Sequence, residues 1–198
     1  MSSPRQILSF LDRYFKKKDL LKKKKINAIV TTGPTKEYLD PVRFISNESS
    51  GKQGYEIALE LSRLGIKTTL ISGPTKITYG NDIKIKNVIS GEEMLEEVKK
   101  NLPTHIAVCA AAVSDFKPSL IKKNKIKKDS NINEIKIEKN QDILGYLGKN
   151  NRYKPKLLVG FAAETEDLIK NSVKKMKEKF CDIIIANDIS KKNIGFNS

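Results

Sequence analysis

The sequence predicts an α/β fold: a Rossmann-like, mostly parallel sheet with helices on both faces and one protruding β-arm. Three observations carry the prediction. Apolar strand-like runs alternate with amphipathic helical runs from residue 26 onward, Gly- and Pro-bearing polar motifs follow those apolar runs directly, and 198 residues suit one domain with a sizeable core.

Residues 2–21 read as the first helix, with Ile7, Leu8, Leu11, Tyr14 and Phe15 at helical spacing behind a Ser3-Pro4 start. The Lys runs 16–18 and 22–25 then read as a solvated tether, so residues 1–25 stand apart from a domain that begins at Ile26 and runs to Ser198. A βαβ unit follows: strand 26–32, helix 51–64 with Ile57, Ala58, Leu61 and Leu64 on one face, and strand 66–72. Residues 83–88 read as a further strand. Ser90, with Glu93 three positions on, makes a capping box for a helix through Lys100. Residues 105–112 form a buried strand, after which the rhythm breaks into a Lys-rich loop, 115–130, and an alternating strand, 134–138, which together form the arm. It resumes with a short helix 142–148, strand 157–162, helix 166–179 and strand 182–186.

Composition narrows the function classes. Lys and Arg total 38 against 23 acidic residues, but 33 of the 38 are Lys. Nucleic-acid readers depend on Arg for bidentate contacts, so a Lys-dominated charge argues against nucleic acid as a partner. Cys109 and Cys181 show no metal-ligand or disulfide spacing, and no run approaches the roughly 20 apolar residues of a membrane span. The expectation is a cytoplasmic protein in a reducing compartment, with no membrane partner.

In open parallel sheets, ligands bind beyond the carboxyl ends of the strands. TTGPT, SGPT, AAVSDF, GFAAET and ANDIS each follow a strand, and therefore fall on one rim, bringing Asp115, Glu164, Asn187 and Asp188 to the same edge. The richest stretch is 31–54, where Ser49, Ser50, Gly51 and Lys52 open a helix whose free N–H groups favour an anion, with phosphate the first ligand to consider. Neither G-x-G-x-x-G nor a Walker A loop is present, since Gln53 stands where Ser or Thr would follow Gly51-Lys52. His105, the only histidine, begins a strand and reads as structural. The chemistry therefore falls to Lys, Asn, Asp and backbone amides, a palette suited to phosphoryl or nucleotidyl transfer. Residues 122–128, KKNKIKK, are either a solvated loop or a basic arm that meets a triphosphate through Lys125. Phe161 is either core or a platform for a base. Lys175 and Lys179 lie one turn apart, either on a solvated face or converging on one anion.

The run GPTKEYLDPVRFISNESSGKQG, followed in order by SGPT, AAAVSDF, NKIKK, VGFAAET and IIANDIS, resembles the bacterial, CTP-dependent phosphopantothenoylcysteine synthetases from Ile26 to the end. The resemblance implies a coenzyme A biosynthetic ligase in which the carboxylate of 4′-phosphopantothenate attacks the α-phosphate of CTP. Pyrophosphate leaves, and L-cysteine then displaces CMP from the acyl-cytidylate. A non-catalytic nucleotide-binding module of a fusion enzyme is the alternative.

By motif, the resemblance assigns Asn47 to the acyl-cytidylate step and Lys125 to the triphosphate. It places Gly33, Arg43, Ser49, Ser50, Gly51 and Lys52 on the substrate side. Cys109, Ala110, Ala111 and Asp115 fall at the nucleotide-contacting strand end, and Gln141, Asp142, Ile143 and Leu144 in the block after it. Phe161 lies beside the base, and Lys175 and Lys179 are a nucleotide-contacting pair, with Lys174 as competitor to that pair. Pro is lost from the family's N-P-D-I block, here Asn140-Gln141-Asp142-Ile143, and Glu48 stands where the family often has His. The resemblance further implies Mg²⁺ with the CTP, unknown metal ligands and no flavin in this segment. It also implies a homodimer using the arm near 131–138, and a higher oligomer if fused to a decarboxylase domain. Residues 1–15 look like the tail of such a domain, and the family pattern continues past GFNS, so the chain is expected to be an excerpt shortened at its C-terminus.

Overall fold

A computed structural model describes residues 4–18, 26–127 and 134–190. After helix α1 (Pro4–Lys18), a six-stranded parallel sheet is built from β1 (Asn27–Thr32), β4 (Lys67–Ser72), β5 (Lys84–Asn87), β6 (Ile106–Cys109), β9 (Leu157–Glu164) and β10 (Ile183–Asp188). Helices α2 (Lys52–Arg63), α3 (Gly91–Lys100), α4 (Ile143–Lys149) and α5 (Leu168–Glu178) occupy the connections. The strand order is β10-β9-β6-β1-β4-β5, so the chain winds outward from β1 to β5 and then returns to the other side of β1 at β6. The expected α/β sheet with helices on both faces is what forms.

Alternation along β1 divides the core. Ala28 and Val30 pack with Ile57 and Leu61 of α2, while Ile29 packs with Met94 and Val98 of α3 and Leu147 of α4. Side chains of successive strand residues point to opposite faces, so a nearly unbroken apolar strand must be covered on both. Each fully buried aliphatic side chain contributes about 1.5–3 kcal/mol. The α3 start forms as its spacing requires: Ser90 Oγ accepts from Glu93 N at 3.1 Å and Glu93 Oε2 accepts from Ile89 N at 2.8 Å.

Three features depart from the sequence reading. The 33–50 segment is not a continuous loop: β2 (Lys36–Tyr38) and β3 (Phe44–Ser46) form an antiparallel ribbon. The 115–130 loop begins with β7 (Phe116–Pro118), which pairs with β8 (Ile137–Lys139), so the arm is a second ribbon whose outer strand sits later than expected. Finally, α1 is packed into the domain, with Ile7 and Leu11 in the same cluster as Ile57 and Leu61. The tether at 19–25, the arm residues 128–133 and the GFNS end lie outside the described residues.

Candidate active site at the strand ends

All six strands run the same way, so their carboxyl ends share one edge, and β1 and β6 diverge in winding direction there. A cleft of about 590 Å³ opens at this point, with Thr31 from the end of β1 and Cys109 from the end of β6 on its wall.

One end of the cleft is made by Ser49, Ser50 and Gly51, leading into α2. Gly51 caps the helix in the left-handed region, φ 76°, and provides no side-chain cap, and no acidic residue sits in the first turn. The N–H groups of Gly51 and Lys52 have only long contacts to Ser49 Oγ and Ser50 Oγ, 3.3 and 3.4 Å. These amides and the positive end of the helix are therefore available to an anion. The loop is held from behind. Thr32 Oγ1 donates to Gly51 O at 2.6 Å, and a Cβ on Gly51 would come within 2.7 Å of the Thr75 methyl and 3.2 Å of Gly33 Cα.

The middle of the cleft carries Asn47, Ala110, Ala111 and Asp115. Asn47 Nδ2 donates to Val113 O at 3.0 Å, tying the residue after β3 to the AAVSDF loop. The Asp115 side chain is exposed at the lip. Burial pushes the Cys109 thiol up to about 12, so it stays protonated at neutral pH and is no nucleophile.

The far end is built from Gln141, Asp142, Ile143 and Leu144 before and within α4, with Phe161 on β9 and with Lys175 and Lys179 at the end of α5. Asp142 Oδ1 accepts from Gly145 N at 2.9 Å as the α4 N-cap, while its Oδ2 takes Lys179 Nζ at 2.7 Å. Phe161 is half-buried: it packs against the core and also lines the cleft.

Four of the expected site residues do not line this cleft: Gly33, Arg43, Lys52 and Lys125. Gly33, φ 74°, is a packing position where a Cβ would meet Thr75 Cγ2 at 2.7 Å and Gly73 O at 3.1 Å. Lys52 is exposed on the helix start, and Arg43 and Lys125 lie together on the neighbouring ribbon turn and arm. The SGPT motif is on the expected edge but serves the same packing, since a Cβ on Gly73 would overlap Pro34 O. Asp115 and Asn187 reach the cleft, whereas Glu164 accepts from Asn171 Nδ2 and Asp188 from Ser190. His105 bonds Asn27 at the opposite edge of the sheet.

Sequence reasoning assigned no role to Gln53 and Asn140, which also line the cleft. Gln53 Nε2, Asn140 Oδ1 and Asn187 Oδ1 are buried without a hydrogen-bond partner among the described residues. An unmet buried polar atom costs about 1–3 kcal/mol, so these are places for a ligand or water to bond. The signal for Asn140 was its place in the quoted block before Asp142. For Gln53 it was position alone, on the first turn of the anion-binding helix.

Among the described residues there is no cluster of three His, Cys, Asp or Glu side chains, and no helix is long and apolar enough to cross a membrane. Residues 21–198 match the DNA/pantothenate metabolism flavoprotein C-terminal domain. The chain belongs to this family. It is 37% identical over 201 residues to the coenzyme A biosynthesis bifunctional protein CoaBC of Vibrio vulnificus (strain YJ016), covering all of this chain and 49% of that protein. It is 40% identical over 194 residues to the protein of the same description from Haemophilus influenzae, covering 96% and 47%. The chain thus spans about half the length of the curated relatives it matches. A crystal structure of the C-terminal domain of a CoaBC protein is similar at TM-score 0.72 and 36% identity, over 83% of this chain and 78% of that one.

Proposed function

We propose that this member of the family is the ligase unit of coenzyme A biosynthesis, joining 4′-phosphopantothenate to L-cysteine with CTP as the activating nucleotide. The observation that carries the reading is the character of the cleft. A helix start rich in free amides stands at one end, two lysines stand at the other, and no activated thiol or imidazole lies between them. A site of this kind binds and positions phosphates, and the nucleophile arrives with the substrate.

In the first step a carboxylate oxygen of 4′-phosphopantothenate bonds to the α-phosphorus of CTP as the bond to pyrophosphate breaks. In the second, the cysteine amine attacks the acyl carbon, CMP leaves with the electron pair of the C–O bond, and the amine gives up a proton. The Ser49–Gly51 amides hold a phosphate, Asn47 donates to the acyl-cytidylate, and Lys175, Lys179 and the arm's Lys125 neutralise nucleotide charge. Phe161 packs against the base. Mg²⁺ would be held by one or two carboxylates together with substrate phosphates. The exposed Asp115 at the cleft lip suits that role, and the ion would supply neutralisation of phosphate charge.

The partner we propose is a second copy of the chain. The two ribbons touch each other and leave Phe44, Phe116 and Ile137 between 41% and 52% exposed, apolar surface of the kind that copies of a chain cover. The CoaBC relatives, described as bifunctional, support coenzyme A biosynthesis as the setting. Assay of the protein with 4′-phosphopantothenate, CTP and Mg²⁺ tests the activity: pyrophosphate release that needs both organic substrates supports it, and CTP left intact contradicts it.

A further inference from the structure

The proposed reaction makes no use of Asp40, yet its side chain is fully buried on the turn between β2 and β3. Its Oδ1 accepts from Val42 N at 2.8 Å and Arg43 N at 2.9 Å, closing the turn. Its Oδ2 accepts from Ile126 N at 3.1 Å and lies 3.5 Å from Arg43 Nη1. Arg43 Nη2 in turn donates to Ile126 O at 3.1 Å. One residue of the KIKK segment is therefore gripped at both its N–H and its C=O by an acid–base pair more than 80 positions away in the chain. A second strap runs alongside, with Lys122 N donating to Leu39 O at 2.9 Å.

We propose that Asp40 and Arg43 are the anchor of the Lys-rich arm, positioning residues that fix Ile126 and so determine where the neighbouring Lys125 ammonium stands. The turn by itself needs only Oδ1, which an Asn would supply equally well. A buried carboxylate is costly unless paired and hydrogen-bonded. The second oxygen is spent on the arm and the guanidinium, which accounts for an acid at this position. Arg43 follows three residues later, across a turn shaped by Pro41, and reaches the carboxylate and the arm carbonyl together. Arg43 thus acts on the arm backbone, outside the cleft wall. The inference rests on the reading of Lys125 as the triphosphate cation only for its kinetic consequence; the anchoring itself is independent of the reaction.

Asp40→Asn isolates the grip, because it keeps the Oδ1 acceptor and replaces Oδ2 with an NH₂ that cannot accept from Ile126. Single-amide hydrogen exchange should rise about tenfold at Ile126, the scale of one lost charged hydrogen bond. Lys122, bonded to a backbone carbonyl, should stay protected and report an intact turn. In the pyrophosphate assay, Asp40→Asn should raise KM for CTP several-fold, while Asp40→Asn combined with Lys125→Gln should be no worse than Lys125→Gln alone. Should Asp40→Asn not fold, Arg43→Gln, which leaves the turn bonds in place and removes the donor to Ile126 O, should raise exchange at Ile126 by a smaller factor, because the Asp40 bond to its N–H remains. Unchanged exchange at Ile126 in the folded variant, or additive kinetic losses in the double variant, overturns the proposal. If Lys125→Gln turns over at the wild-type rate while Ile126 still loses protection, the reading of the reaction fails and the anchor stands.

Discussion

Lys179 donates from Nζ to Asp142 Oδ2 at 2.7 Å, joining the C-cap of α5 to the N-cap of α4 across one end of the cleft. Each charge also faces the helix end that favours it, the cation at a carboxyl terminus and the carboxylate at an amino terminus. Both residues are proposed nucleotide contacts, and they are bonded to each other.

That pair makes stability depend on acid. Burial raises the Asp142 carboxyl, but the Lys179 hydrogen bond, the Gly145 N–H and the charges of Lys179 and Lys149 outweigh it and hold the group below its ordinary value of 3.8. Because the folded value is the lower one, the stabilisation is present above 3.8 and is lost as pH falls through the folded value. With the Asp142 side chain 48% exposed, screening limits the effect to about 0.2–1 kcal/mol. Asp142→Asn keeps the cap to Gly145 and removes the charge. Urea unfolding should show the variant weaker at neutral pH and level with the wild type once the carboxylate is protonated; a gap that persists in acid contradicts the assignment.

Gly51 is required by conformation and by space. Gly51→Ala places a side chain at φ 76° and within 2.7 Å of Thr75 Cγ2. Left-handed strain alone costs about 1–2 kcal/mol, and the crowding adds to it. Denaturation should show a loss of at least that size together with weaker substrate binding, whereas a variant of unaltered stability and KM would mean the loop is not held as described.

The first helix belongs to the domain core. Leu11 is 2% exposed and packs in the cluster of Ile57 and Leu61. Leu11→Ala should destabilise the chain by about 2–4 kcal/mol in urea, as buried Leu truncations do. A detachable tail would lose almost nothing.

For association, Phe116→Glu changes a residue that is 50% exposed on β7 and should leave the fold intact. Sedimentation at matched concentrations should show the wild type as a dimer and the variant shifted to monomer. Equal masses would remove the ribbons from the interface.

Much of this was legible in the sequence for a physical reason. Strands buried on both faces and amphipathic helices announce themselves over many residues, so β1, β4, β6, β9, α2 and α3 fall close to where periodicity puts them. The ribbons were less so: β2, β3 and β7 are three residues each, too short for alternation to register, and only the end of the alternating run 134–138 falls within β8. In the cleft, Ser49 to Gly51 were readable from a helix start and Ala111 to Asp115 from a strand end, while Asn47 and Cys109 came from the resemblance. Arg43 shows where that reasoning stops: the resemblance assigns it to substrate, while its hydrogen bond to Ile126 depends on a contact across 83 residues that no local pattern carries.

The measurement that bears most directly on the whole account is a single turnover of the protein with 4′-phosphopantothenate and CTP labelled at the α-phosphate, first without cysteine and then with it. The account predicts label in an acyl-cytidylate with an equal amount of pyrophosphate, discharged as CMP when cysteine is added, and persistence of that adduct in Asn47→Ala. Labelled CTP that survives unchanged beside 4′-phosphopantothenate in the folded wild-type protein would contradict it.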